Sequence, residues 1–156
     1  MITLKNILVA TDFSECSERA VEEARALAKG FDARLHMLHV VTEPFHEVWA
    51  GYAPAVDFVG ILKKYHADAR RRLESVCPHK EVTSGRVVIA TAAGDPVDEI
   101  LRYAQAHDVN LIVCGTHGRH GLEHVLIGSV AERVVRLAPC PVLTVSATPP
   151  RATAAA

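Results

Sequence analysis

Two kinds of apolar pattern alternate along this chain. Short runs rich in β-formers occupy Ile7 to Ala10, Leu35 to Val41, Arg86 to Ala90, Leu111 to Cys114 and Val142 to Val145. Between them, apolar residues recur every three or four positions, the period of a helix with one buried face. Runs that are apolar on both faces suit strands covered from both sides, and the intervening helices supply the long connections that parallel pairing requires.

The helical stretches carry their own start and stop signals. Ser14 to Lys29 places Ala20, Val21, Ala24, Leu27 and Ala28 on one face, with Gly30 as the expected left-handed stop. A longer stretch aligns Phe58, Leu62, Tyr65, Ala69, Leu73 and Val76, and leaves Lys63, Lys64, Arg70, Arg71 and Arg72 largely on a solvated side. Asp95 can cap a third helix with Pro96 in its first position and Val97, Ile100, Leu101 and Ala104 buried. Ser129 and Glu132 read as a capping box opening a fourth, which must stop near Leu137 because Pro139 and Pro141 follow. The fold class expected from this rhythm is α/β: a single doubly wound, Rossmann-like domain over residues 1–146, with a five-stranded parallel sheet and helices on both faces. The segment Val41 to Asp57 has no period and reads as a long loop, and the tail 147–156 reads as disordered.

Charge and cysteine usage narrow the partners. The net charge is −1 with both signs interspersed, so no basic field exists to grip nucleic acid or an acidic membrane. The first apolar run is too short for a signal core or a membrane span, so the chain reads as cytoplasmic. Cys16, Cys77, Cys114 and Cys140 are scattered without a C-x-x-C pair and read as reduced thiols.

In a doubly wound sheet, ligands bind beyond the carboxyl ends of the strands where the winding reverses. That rule brings ATDFSE, after the first run, opposite GTHGRHG, after the fourth. A Walker loop is missing, as is G-x-G-x-x-G after the first strand. Present instead are Gly115-x-x-Gly118 and, nine residues later, Gly128-Ser129 at a helix start. Bare backbone at Gly115 and Gly118 can approach a ribose or phosphate, the helix start offers N–H groups to an anion, and Arg119 can add a charged fork. Each feature also has a plainer reading: Asp12 as a turn or cap residue, the glycines as turn residues, Arg119 as solvated surface. Cys114, His117, His120 and His124 lie close in sequence, but no carboxylate or further cysteine completes a metal shell, so no protein-held metal site is assigned.

The segments NILVATDFSECSERAV, LHMLHVV, AAGDPVDEIL, LIVCGTHGRHGLEHVLIGSVAERVV and CPVLTV together resemble the ATP-binding type of universal stress protein, over Asn6 to Val145. The resemblance implies a dimer that binds ATP with Mg or Mn and turns it over slowly or not at all. It places Asp12 and Val40 at adenine, Ala10 and Thr11 on the pocket floor, and Gly115 at the ribose. His117, Gly118 and Arg119 continue that loop, while Gly128, Ser129, Val130 and Ala131 fall on the phosphates. Ala10 departs from the proline frequent at its place in relatives.

Three functions follow as expectations. The first is a nucleotide-dependent regulatory module with an unidentified protein partner; the second is a slow ATP hydrolase on the same pocket; the third is a dimeric scaffold with an empty pocket. No residue is assigned a catalytic role, since the loop brings only Glu123 as a nearby carboxylate. The last strand, Val142 to Val145, should lie at a sheet edge and pair with a second copy.

Overall fold

A computed structural model of the protein describes residues 3–42, 57–116 and 127–146, with Phe58 described by its backbone alone. Five strands, β1 (Asn6–Ala10), β2 (Arg34–Val41), β3 (Val87–Ala93), β4 (Leu111–Gly115) and β5 (Val142–Val145), form one parallel sheet in the order β3-β2-β1-β4-β5. Helices α1 (Glu15–Phe31), α2 (Phe58–Ser75), α3 (His79–Thr83), α4 (Pro96–Ala106) and α5 (Ser129–Leu137) complete the described elements. The expected doubly wound α/β architecture is therefore the observed one.

Strand alternation sorts the core into two layers. Ile7 and Val9 of β1, Leu35 and Met37 of β2 and Val113 of β4 join Ala20, Val21, Ala24 and Ala28 of α1 and Leu73 of α2 on one face. Leu8, Leu38 and Ile112 pack on the other face against Val97, Ile100 and Ala104 of α4 and Val134 of α5. Ile7, Leu8 and Val9 are all completely buried, which explains why the β1 run is apolar at every position instead of every second one. Each such side chain contributes about 1.5–3 kcal/mol on burial.

Several local expectations are corrected. The helix α1 does not stop at Gly30; it runs to Phe31, and Asp32 takes the left-handed position at φ 50°. The delay lets Ala33 reach the core and bond its N–H to the Ala28 carbonyl at 2.8 Å, and an aspartate tolerates this conformation better than most residues. On α2, Tyr65 and Val76 are exposed at 48% and 44%, while Leu62, His66, Ala69 and Leu73 turn inward. There His66 Nδ1 meets the Thr91 hydroxyl of β3 at 2.9 Å, so a polar residue takes an inward place that apolar periodicity did not mark. Strand β3 begins one residue later than Arg86 and extends three beyond Ala90. Alanines and a threonine extend it, residues weak in apolar signal, yet Ala92 and Ala93 are held by pairing with Val40 and Val41. The α4 start is as expected, with Val97, Ile100 and Ala104 buried, Leu101 half-buried, and Asp95 accepting from the N–H groups of Val97 and Asp98 at 3.0 and 3.1 Å.

The expected long loop lies almost wholly in residues 43–56, and the tail in 147–156; both are outside the described residues. No helix among the described residues is long and apolar enough to cross a membrane.

Candidate functional site

The winding reverses between β1 and β4: β1 leads outward to β2 on one side, while β5 flanks β4 on the other. Their carboxyl ends, Ala10 and the paired Cys114, open the crevice that the switch-point rule selects. Three segments converge there: the turn Thr11–Ser14, the end of β4 at Gly115 and Thr116, and the first turn of α5.

The first segment is a polar turn built on buried hydroxyls. Thr11 is 6% exposed and Ser17 is 3% exposed. The Phe13 N–H donates to Thr11 Oγ1 at 3.0 Å, and Ser17 Oγ donates to the Ser14 carbonyl at 2.9 Å. The 3.0 Å contact between the two hydroxyls then has Thr11 as donor, because the Ser17 proton is already committed. Asp12 Oδ1 accepts from the Ser14 N–H at 3.0 Å and from the Ser14 hydroxyl at 2.6 Å, while Ser14 itself caps α1 through the Ser17 N–H at 3.3 Å. Asp12 is thus a turn residue in its own right, the plainer of its two readings.

Phe13, between them, sits at φ 63°, a left-handed conformation that costs a bulky residue about 1–3 kcal/mol. Its ring stacks on His39 at 4.5 Å, and the Arg72 guanidinium lies 3.9 Å from the ring centroid. His39 Nδ1 lies 2.8 Å from the Thr11 carbonyl, so it carries the proton and donates. Phe13, His39 and Arg72 were not among the residues expected at the site, and Arg72 was expected only as part of a solvated helix face. The only signal available was the odd position of two histidines in an otherwise apolar strand.

The second segment explains one glycine. A Cβ on Gly115 would come within 3.0 Å of the Cys16 carbonyl carbon, 3.1 Å of Cys16 Sγ and 3.1 Å of the Ser17 nitrogen. Gly115 is required for α1 to pack its first turn onto β4, whatever else it contacts. Next to it, Thr116 is 9% exposed; its N–H donates to the Val145 carbonyl at 2.8 Å, and its carbonyl accepts from the Gly128 N–H. Cys16 Sγ donates to the same Val145 carbonyl at 3.0 Å and lies 3.6 Å from Thr116 Oγ1. Cys114 is also buried, and burial with Cys16 nearby pushes its thiol up to about 11, so it stays protonated and unreactive.

The third segment corrects the capping box. The N-cap of α5 is Gly128, at φ −68° and ψ 156°, and Ser129 is the first helical residue. The Glu132 N–H bonds the Gly128 carbonyl at 3.0 Å, which leaves the serine hydroxyl one position too late to fold back on the turn. The glycine has no side chain to cap this turn, and among the described residues no side chain accepts from the N–H groups of Ser129, Val130 and Ala131. Ser129 and Val130 are exposed, whereas the Ala131 side chain is buried at 4%. Only its main chain can serve a ligand. Ala10 and Val40, near the carboxyl ends of β1 and β2, are half-buried and pack toward the α4 layer.

Of the residues expected at the site, Ala10, Thr11, Asp12, Val40, Gly115, Gly128, Ser129, Val130 and Ala131 belong to the carboxyl ends of β1, β2 and β4 or to the start of α5. His117, Gly118 and Arg119 lie outside the described residues, as do His120, Glu123 and His124. Among the described residues no group of three potential metal ligands forms. A groove of ≈ 220 Å³ lies far from this site, at the amino ends of β2 and β3, lined by Asp32, Arg34, Ser84 and Arg86 among others.

A parallel sheet wound to both sides of a switch point defines the class of doubly wound α/β domains. Within that class the affiliation is direct: residues 3–146 match the universal stress protein family, and the chain belongs to it. It is 35% identical over 142 residues to the universal stress protein MJ0531 of Methanocaldococcus jannaschii, covering 90% of this chain and 81% of that one. It superposes on the structure of UspA from Lactobacillus plantarum with a TM-score of 0.76 at 29% identity, covering 93% and 99% of the two chains. Two more distant structures share the fold at 23% identity: a universal stress protein in complex with cAMP (TM-score 0.58, 94% and 100% covered) and one from Arabidopsis thaliana with AMP bound (TM-score 0.59, 91% of each).

Proposed function

We propose that this protein binds an adenine nucleotide, ATP carried with Mg or Mn, in the crevice between β1 and β4, and that it is a regulatory module of a stress response with little or no turnover. The observation that carries this reading is the uncapped first turn of α5, tied by the Gly128 N–H to the carbonyl of Thr116 beside Gly115. Three convergent N–H groups at a helix start, within one residue of glycine backbone, favour an anionic group such as a phosphate. The AMP and cAMP held by distant relatives of the same fold agree with the adenine class. In this reading Asp12 and Val40 face the base, Gly115, His117, Gly118 and Arg119 follow the ribose and phosphates, and Gly128 to Ala131 hold the phosphate end. The metal rides on the phosphates and needs no protein-built shell. Occupancy orders the cradle and changes what a partner protein docks against, which requires the partner to discriminate the two states.

The protein is proposed to work in the cytoplasm as a homodimer. The bond from the Ile112 N–H to the Pro141 carbonyl and that from Thr116 to Val145 turn alternate residues of β5 inward. The N–H and carbonyl groups of Val142 and Thr144 therefore point out of the sheet, ready for an antiparallel second copy.

A second reading, the empty scaffold, draws on two facts: Gly115 and Asp12 already have structural duties. The experiment that separates the readings is to purify the protein without added nucleotide, denature it, and identify released small molecules by mass spectrometry. Calorimetric titration with ATP and Mg, AMP and cAMP follows, with the Gly128→Ala/Ser129→Ala variant as control. Bound adenine nucleotide lost in the variant supports the proposal; an empty protein that binds none of the three leaves the scaffold. Sustained phosphate release above the Ser129→Ala level would replace regulatory binding with slow hydrolysis.

A further inference from the structure

The end of the edge strand is bonded into the floor of the crevice. The Val145 carbonyl, the last of β5, accepts from the Thr116 N–H at 2.8 Å and from Cys16 Sγ at 3.0 Å. Thr116 in turn holds the Gly128 N–H through its own carbonyl and follows Gly115, whose missing side chain is what admits Cys16. Four segments meet in this buried knot: the start of α1, the end of β4, the cap of α5 and the end of β5. Cys16 is 3% exposed and Thr116 is 9% exposed, so these two partners in the knot are largely shielded from water. Along β5, Val145 and Leu143 turn their main chain inward, while Val142 and Thr144 turn theirs outward. Thr144 is covalently next to the knotted carbonyl, so a shift of Val145 reorients an outward pair of the edge.

We infer that this knot couples the two proposed activities of the chain: nucleotide in the crevice fixes Gly115, Thr116 and Gly128, holds Val145 in place, and thereby tightens pairing of β5 with a second copy. The inference rests on the proposed nucleotide binding and edge pairing, and it adds the path between them. By linkage, each of the two sites of the dimer must bind nucleotide more tightly than the monomer does, by the square root of the factor that tightens the dimer. Cys16 is the side chain through which the coupling can be cut without touching the nucleotide contacts, because the other bonds of the knot are main-chain bonds.

The test is sedimentation velocity over a dilution series, with and without saturating ATP and Mg, on the parent and on Cys16→Ala. Calorimetry measures nucleotide affinity on both, and circular dichroism checks their folding. In the parent, ATP should lower the dimer Kd by at least about fivefold. In Cys16→Ala, binding should persist while the shift shrinks below about half of that factor, on a logarithmic scale. An unchanged dimer Kd in a parent that binds ATP overturns the coupling and leaves the binding proposal standing. An equal shift in Cys16→Ala overturns the path through the knot. A protein that is monomeric throughout, or that binds no ATP, removes the coupling together with the reading beneath it. If Cys16→Ala does not fold, Cys16→Val, which fills similar volume without a donor, replaces it.

Discussion

Replacing Gly115 by alanine tests whether that glycine belongs to packing or to ligand. The added Cβ meets the Cys16 carbonyl carbon at 3.0 Å, the Ser17 nitrogen at 3.1 Å and Cys16 Sγ at 3.1 Å. The first two are main-chain atoms in the opening turn of α1, and α1 is anchored along its length by Ala20, Val21, Ala24 and Ala28 in the core. The helix cannot pivot away cheaply, so the substitution should cost about 1–3 kcal/mol, as overpacking of a filled interior does. For a chain of this size that lowers Tm by roughly 2–12 °C. The measurement is a thermal melt of the nucleotide-free protein followed by circular dichroism. Combining Gly115→Ala with Cys16→Ala should recover less than half of the loss, because it removes one of three close contacts and leaves both main-chain ones. A ligand-free Tm within about 1 °C of the parent would refute this reasoning. It would mean that α1 yields easily and that the glycine is kept for what binds above it.

Three other outcomes are expected. His36 is 4% exposed, and burial, reinforced by His107 and Arg34, lowers its pKa from 6.5 to about 4. Below pH 6.5 the unfolded chain takes up a proton that the folded chain refuses, so stability should fall between pH 6.5 and 4 by about 3 kcal/mol in all. Urea titrations of the parent and of His36→Gln at pH 7 and pH 4.5 should show a smaller acid loss in the variant, and equal losses would clear His36. Asp95→Ala removes the acceptor for two N–H groups at the start of α4 and should lower stability by about 1 kcal/mol in a denaturant melt, which Asp95→Asn should largely restore. Ser129→Ala, at an exposed position with no capping bond, should change stability by less than about 0.5 kcal/mol. Its calorimetric affinity for ATP and Mg should still fall, and a loss of stability equal to that at Asp95 would show that the hydroxyl caps the helix after all.

The expected strands all exist and α4 starts where expected, because those features follow from local chemistry. Continuous apolar runs need cover on both faces, and Asp95-Pro96 can only open a helix. The convergence of ATDFSE with Gly115 and Gly128 was also legible, since a parallel sheet with helical crossovers admits few strand orders and the switch point follows from them. Less legible were features decided by a neighbour distant in sequence. Gly30 carries the residue type of a helix stop, yet the stop falls at Asp32 because Ala33 has to reach the core. Ser129 and Glu132 have the spacing of a capping box, yet the extended backbone at Gly128 makes the glycine the cap. Gly115 reads as a ligand glycine in one dimension and gains a packing duty in three, because Cys16, nearly a hundred residues earlier, lies against it. What the amino-acid sequence by itself determined is therefore the order and kind of elements, the apolar faces and the segments that meet at the crevice, all consequences of period and propensity. Which backbone groups are spent on holding the fold and which face the crevice was decided only by the tertiary structure, because hydrogen bonding and close packing depend on atoms that the chain brings together from far apart.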